Sequence, residues 1–286
     1  MWEQFHQHKW DEDEKWKLYF NNLTIPESAS EFQRGAIVEK YKRKFFSQNI
    51  GPLPSFKSVY ELVEIDAQSK HTATLIFLHG LGDSGEGWAS AFVKLSKSMP
   101  YLKVILPSAL KLPVTLNGGA RMPAWYDLMG LSESSGEDSV GFQETVKQLK
   151  ALIKNENEEF NIPVRGFSQG GSLSLYVGLT LEKQLAGVIG MSTFLLQKDQ
   201  FIKEVQSTSA NINTPVLICQ GTADQVVRHA WGKATYDGIK KIIEHKNGKE
   251  ADHITFREYS GLAHNANASE MQHVYQFIQE RLNHIQ

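Results

Sequence analysis

From residue 57 onward, short apolar runs of buried-strand length alternate with longer stretches whose apolar residues recur at helical spacing. Segments 72–78, 102–106, 185–191 and 215–220 are mostly apolar over five to seven residues, as a strand covered on both faces requires. Segments 142–154, 170–182, 229–245 and 269–282 read as helices, and 59–65 and 254–259 as further strands. This order predicts an α/β fold, a mostly parallel central sheet with helices on both faces. In such sheets the reacting groups gather beyond the carboxyl ends of the strands.

Residues 1–55 have a different texture. Trp2, Trp10 and Trp16 fall here among dense mixed charges, and two helices are expected, over 11–23 and from Ser28 or Ser30 to about Gln48. Asn49-Ile50-Gly51-Pro52-Leu53-Pro54 reads as a linker, so the chain divides into a helical extension (1–55) and a main domain (57–286). Within the extension, Lys40-Tyr41-Lys42-Arg43-Lys44-Phe45-Phe46 is expected to be a solvated helix face, with peripheral membrane contact as the alternative.

The bulk numbers exclude several classes. A net charge of −2 gives no field for nucleic acid, and no apolar run approaches spanning length. The first nine residues hold no apolar leader, and the one cysteine, Cys219, sits in an apolar run where an inert core thiol is expected. These features predict a cytoplasmic protein. His6, His8, His71, His229, His245, His253, His273 and His284 show no metal-ligand spacing, so no metal is expected.

Chemistry concentrates in four segments. Gly166-Phe167-Ser168-Gln169-Gly170 precedes a helical pattern, and its glycines suit a sharp strand-to-helix turn that lifts the Ser168 hydroxyl clear of the sheet. A serine hydroxyl needs an adjacent base. Asp224 follows strand 215–220 and His264 follows the strand ending at Tyr259, so three strand ends deliver Ser, Asp and His in the chain order used by α/β-hydrolases. Segment 75–85 runs a buried strand into Gly80-Leu81-Gly82, a turn able to offer a backbone N–H to an oxyanion beside the amide of Gln169. A phosphate loop is excluded there, since neither Gly-Lys-Ser/Thr nor G-x-G-x-x-G is present. His79, at the strand end, is expected to be structural.

Segments 75–88 (LIFLHGLGDSGEGW), 124–127 (AWYD), 166–172 (GFSQGGS), 221–224 and 261–264 together resemble the acyl-protein thioesterase family, also described as the phospholipase/carboxylesterase family. The resemblance implies Ser168 as nucleophile, Asp224 and His264 as its partners, and Leu81 and Gln169 as oxyanion donors. It implies cytosolic esterases that need no cofactor and remove fatty acyl groups from S-acylated proteins, many also cleaving lysophospholipids or small esters. It places Met122, Trp125 and Leu128 beside an acyl channel, with core packing the alternative for Trp125. One segment departs from the family pattern. The approach to the elbow, 160–166, is short, carries Pro163 inside the expected strand, and puts Arg165 at a position expected to be buried. An irregular strand there would favour a binding module on an impaired hydrolase fold.

Overall fold

The computed structural model describes residues 60–132, 135–156, 163–206 and 209–282. The two expected helices, the linker and the basic-aromatic cluster of the first 55 residues lie outside the described residues.

The chain begins with β1 (Glu61–Ile65) and β2 (Ala73–Leu78), then α1 (Gly85–Ser98), β3 (Leu102–Ser108), and the hairpin strands β4 (Lys111–Val114) and β5 (Ala120–Pro123). There follow α2 (Ser139–Asn155), β6 (Pro163–Phe167), α3 (Gln169–Thr180), β7 (Gly187–Met191) and α4 (Lys198–Glu204). The described residues close with β8 (Val216–Gly221), α5 (His229–Asn247), β9 (Ile254–Tyr259) and α6 (Ala268–Leu282). Seven strands form one sheet in the order β1-β3-β2-β6-β7-β8-β9, with β1 antiparallel to β3 and the other neighbours parallel.

The pleat sorts successive side chains to opposite faces. Leu75 and Phe77 join Phe92 and Leu95 of α1 and Val274 and Ile278 of α6 on one side. Ile76 and Leu78 join Leu149 of α2, Leu173 and Val177 of α3 and Ile239 of α5 on the other. The central helix α3 is buried along almost its whole length, which explains why it carries no amphipathic stripe.

Three elements were not expected from the sequence. Helix α1 opens with glycines at 85 and 87, yet Ser84 caps it by accepting from the Gly87 N–H at 3.1 Å. The β4–β5 hairpin has strands of four residues, each with a proline, too short to show a period. Helix α4 spans seven residues.

The strand before the elbow is corrected. Pro163 stands first in β6 rather than inside it, where its missing N–H removes little from the ladder, and the strand pairs in register with β2 through Gly166 and with β7 through Phe167. Arg165 is fully buried, as its position required.

Candidate active site

Ser168 stands alone between β6 and α3, with φ 53° and ψ −117°. Residues with a Cβ seldom adopt such a positive φ, and the strain persists only where the surroundings over-determine it. Here the Ser168 N–H donates to the Met191 carbonyl at 2.8 Å, and its own carbonyl accepts from Thr193 Oγ1 at 2.7 Å and the Ser172 N–H at 3.1 Å. The flanking glycines answer to close approach. A Cβ at Gly166 would lie 2.2 Å from the Gly170 carbonyl oxygen, and one at Gly170 would lie 2.2 Å from that of Leu78. Strand, turn and helix pack backbone to backbone.

The loops after β8 and β9 bring Asp224 and His264 to this turn. Ser168 Oγ is 3.0 Å from His264 Nε2, and His264 Nδ1 is 2.8 Å from Asp224 Oδ2. Asp224 is nearly buried, and its other oxygen accepts from the N–H groups of Val226 and Val227, both at 2.9 Å. Burial pushes the Asp224 carboxyl up, but the hydrogen bond and charge of His264 together with the two amides outweigh it and hold the group below the usual carboxylate range. A carboxylate at Nδ1 keeps the imidazole proton on that nitrogen, which leaves Nε2 to accept the Ser168 hydroxyl hydrogen. The ring of His264 lies against Phe167, centroids 5.0 Å apart.

Leu81 and Gln169 border the same cleft as Ser168 and His264, a space of about 440 Å³. Gln169 opens α3, where the first amides have no preceding helical carbonyl and face outward as donors. The Leu81 turn is pinned by the Gly82 N–H donating to the Pro123 carbonyl at 2.8 Å, and Gly80 lies close against Ser168.

The buried side chain of Gln169 does a separate task. Its Oε1 accepts from the Trp125 N–H at 2.9 Å, and its Nε2 donates to the Tyr126 carbonyl at 2.8 Å. Trp125 follows the core-packing alternative: it is buried to 1% exposure, does not border the cleft, and donates its indole N–H to the His79 carbonyl at 2.9 Å. Met122 also does not border the cleft; it packs with Leu112, Val114 and Ala124 beneath the Leu81 turn. Leu128 does border it, with Leu131 and Phe194. His79 is held in the core, accepting from the Ala109 N–H at Nε2 (2.9 Å) and facing the Gly80 carbonyl at Nδ1 (2.6 Å). Burial lowers its pKa, so it stays neutral.

A second cavity of about 470 Å³ continues from the cleft, sharing Tyr126, Leu128, Leu131 and Phe194 and reaching Trp231 and Ile242 of α5. Sequence reasoning missed Thr193, which holds the elbow carbonyl, and the α5 wall, since neither lies in a motif. Cys219 is fully buried, and burial pushes its thiol up to about 12, which leaves it no nucleophilic role. Among the described residues there is no cluster of His, Cys, Asp and Glu able to hold a metal, and no helix is long and apolar enough to cross a membrane.

Residues 61–282 match the model of the family described as phospholipase/carboxylesterase. The chain belongs to that family. Among curated members of this phospholipase/carboxylesterase family, it is 36% identical over 230 residues to acyl-protein thioesterase 1 of Yarrowia lipolytica, covering 78% of this chain and 98% of the relative. It is 38% identical over 219 residues to acyl-protein thioesterase 1 homolog 1 of Dictyostelium discoideum, covering 74% and 92%. Among solved structures, acyl-protein thioesterase 2 of Zea mays superposes with a TM-score of 0.66 at 26% identity, covering 78% of this chain and 99% of that one. Residues 1–60 lie outside the matched range.

Proposed function

We propose that this protein is a serine hydrolase that removes fatty acyl groups from S-acylated proteins through an acyl-Ser168 intermediate. The observation that carries this reading is the unbroken chain Ser168 Oγ–His264 Nε2 (3.0 Å) and His264 Nδ1–Asp224 Oδ2 (2.8 Å), set at the mouth of an apolar-walled cleft. Ser168 Oγ attacks the thioester carbonyl and gives its proton to His264 Nε2. The amides of Leu81 and Gln169 receive the oxyanion, and the charged form of His264 is stabilised by Asp224. As the tetrahedral intermediate collapses, the cysteine sulfur leaves with the proton from His264. Water then adds to the acyl-serine by the reverse route and frees the fatty acid. No cofactor enters these steps. Leu128, Leu131 and Phe194, shared between the cleft and the second cavity, form an apolar passage suited to an acyl chain.

The relatives' names support the thioester over other acyl donors, and the family's description keeps lysophospholipids and small esters as the second reading. A single acyl chain on a polar head fits the same passage. The expected location is cytoplasmic, in keeping with one buried thiol, and membrane contact with the substrate is at most peripheral.

A fluorophosphonate probe tests the nucleophile. Wild type is expected to be labelled and Ser168→Ala not; an unlabelled wild type overturns the reading. A palmitoylated peptide and a lysophosphatidylcholine, offered separately to the same preparation, test the substrate, and a strong preference for the lipid moves the assignment to the second reading.

A further inference from the structure

Three residues before Ser168, the strand buries a full positive charge. Arg165 has no exposed surface, and its guanidinium lies over the rings of Phe77 and Phe92, 5.2 and 5.0 Å from their centroids. Its Nη2 lies 3.1 Å from Met191 Sδ and 3.1 Å from Met271 Sδ. Its Nε and Nη1 meet no acceptor among the described residues. Ring faces and thioethers are weak partners for a cation, and burying one without an opposite charge is costly.

The acidic group nearest in role is Glu270, in the first turn of α6 and likewise without exposed surface. Neither carboxylate oxygen is hydrogen-bonded among the described residues. The two make no direct hydrogen bond and act on each other only through space: Glu270 favours the cationic form of Arg165, and Arg165 favours the anionic form of Glu270. Desolvation by burial still dominates both, pulling Arg165 down to about 10 and pushing Glu270 up to about 7, with Asp224 pushing Glu270 the same way. The other groups that face this layer are Cys219 from β8, Arg257 and Tyr259 from β9, and Tyr275 from α6. They cannot replace the pair. Cys219 and Tyr259 are both pushed up by burial and stay neutral, and Arg257 has the wrong sign to balance Arg165.

The placement is specific. Arg165 touches Met191, the residue whose carbonyl fixes the Ser168 amide. It also touches Met271, the neighbour of Glu270, in the helix that begins just after His264. One side chain therefore meets both the support of the nucleophile and the support of the base.

We propose that Arg165, seated against both Met191 and Met271, is a positioning residue that holds the nucleophile strand against the segment carrying His264 and so sets the Ser168–His264 distance, with the buried Glu270 as the acidic group that balances it. This rests on the hydrolase reading above. Displacing one support by about 1 Å is expected to lower the chemical step by on the order of a hundredfold while leaving the acyl passage intact.

The test compares wild type with Arg165→Met, Glu270→Gln and the double variant, using p-nitrophenyl butyrate hydrolysis and thermal melting. Each single variant leaves a lone buried charge or its void and is expected to melt lower and react more slowly. The double variant has no lone charge and is expected to regain most of the melting temperature, while kcat stays about tenfold or more below wild type and KM stays within about twofold. A double variant with wild-type kcat overturns the proposal. Should the double variant melt as low as the singles, Arg165→Lys decides. It keeps a cation against Glu270, and at equal folded fraction its kcat is expected to lie above that of Arg165→Met; no gain over Arg165→Met refutes the pair. Wild-type labelling by the fluorophosphonate probe is scored in parallel, so a failure of the hydrolase reading is visible separately from a failure of the pair.

Discussion

The side chain of Gln169 offers a perturbation whose effects on stability and on catalysis separate. Gln169→Ala keeps the backbone N–H assigned to the oxyanion but removes the buried clamp on the Trp125 N–H and the Tyr126 carbonyl, made at 2.9 and 2.8 Å. Both groups are in the interior, with Trp125 and Tyr126 each 1% exposed. Leaving a buried donor or acceptor unsatisfied costs about 1–3 kcal/mol, so the two together cost about 2–6 kcal/mol. For a domain of this size each kcal/mol moves the melting temperature by roughly 2–4 °C, which predicts a fall of about 12 °C, within a range of roughly 4–24 °C. The freed segment runs on to Leu128 and Leu131 in the cleft wall, so kcat/KM is expected to fall more for a long-chain ester than for a butyrate ester. Calorimetry and a pair of p-nitrophenyl esters check both halves. A melting temperature within about 2 °C of wild type would refute the clamp, and an equal loss on both esters would refute its link to the acyl wall.

Two further outcomes follow from the charges. Asp224→Asn presents a neutral amide to His264 Nδ1, allows the imidazole proton to move to Nε2, and is expected to lower kcat by about 10³–10⁴-fold with little change in KM, measured by steady-state hydrolysis. Glu270, held in the fold at about 7 against an ordinary 4.5, keeps its proton longer folded than unfolded. Its contribution therefore decreases stability as pH rises from about 4.5 to about 7, by on the order of 3 kcal/mol. The neutral, buried His79 and the lowered His71 and His253 act in the opposite sense, losing stability as pH falls below about 6.5. The readout is thus the difference in melting temperature between wild type and Glu270→Gln across that window, and a pH-independent difference contradicts the assignment.

The sheet and the elbow were legible because their chemistry is local. Apolar runs at 75–78 and 216–219 declare strands, and Gly166 and Gly170 announce a turn where any Cβ would strike backbone 2.2 Å away. Helix α1 escaped notice because its capping depends on Ser84 while two glycines weaken its first turn. The Gln169 clamp spans 44 residues from side chain to backbone, and no spacing rule reports such a bond. It is also the reason Trp125 lies in the core rather than in the cleft wall. Arg165 was visible as an anomaly, but its counter-charge was not, since Glu270 lies in a helix whose alternating surface pattern gives no sign that this carboxylate faces inward.

The order in which the chain supplies its site has a temporal consequence during synthesis. Ser168 and His264 are 96 residues apart, so at roughly 5–20 residues per second the base is added about 5–20 s after the nucleophile. Throughout that interval the growing polypeptide has a serine with no imidazole to take its proton. Under the proposed mechanism it is inert toward acyl groups around it until the last strand and the loop beyond it have joined the sheet.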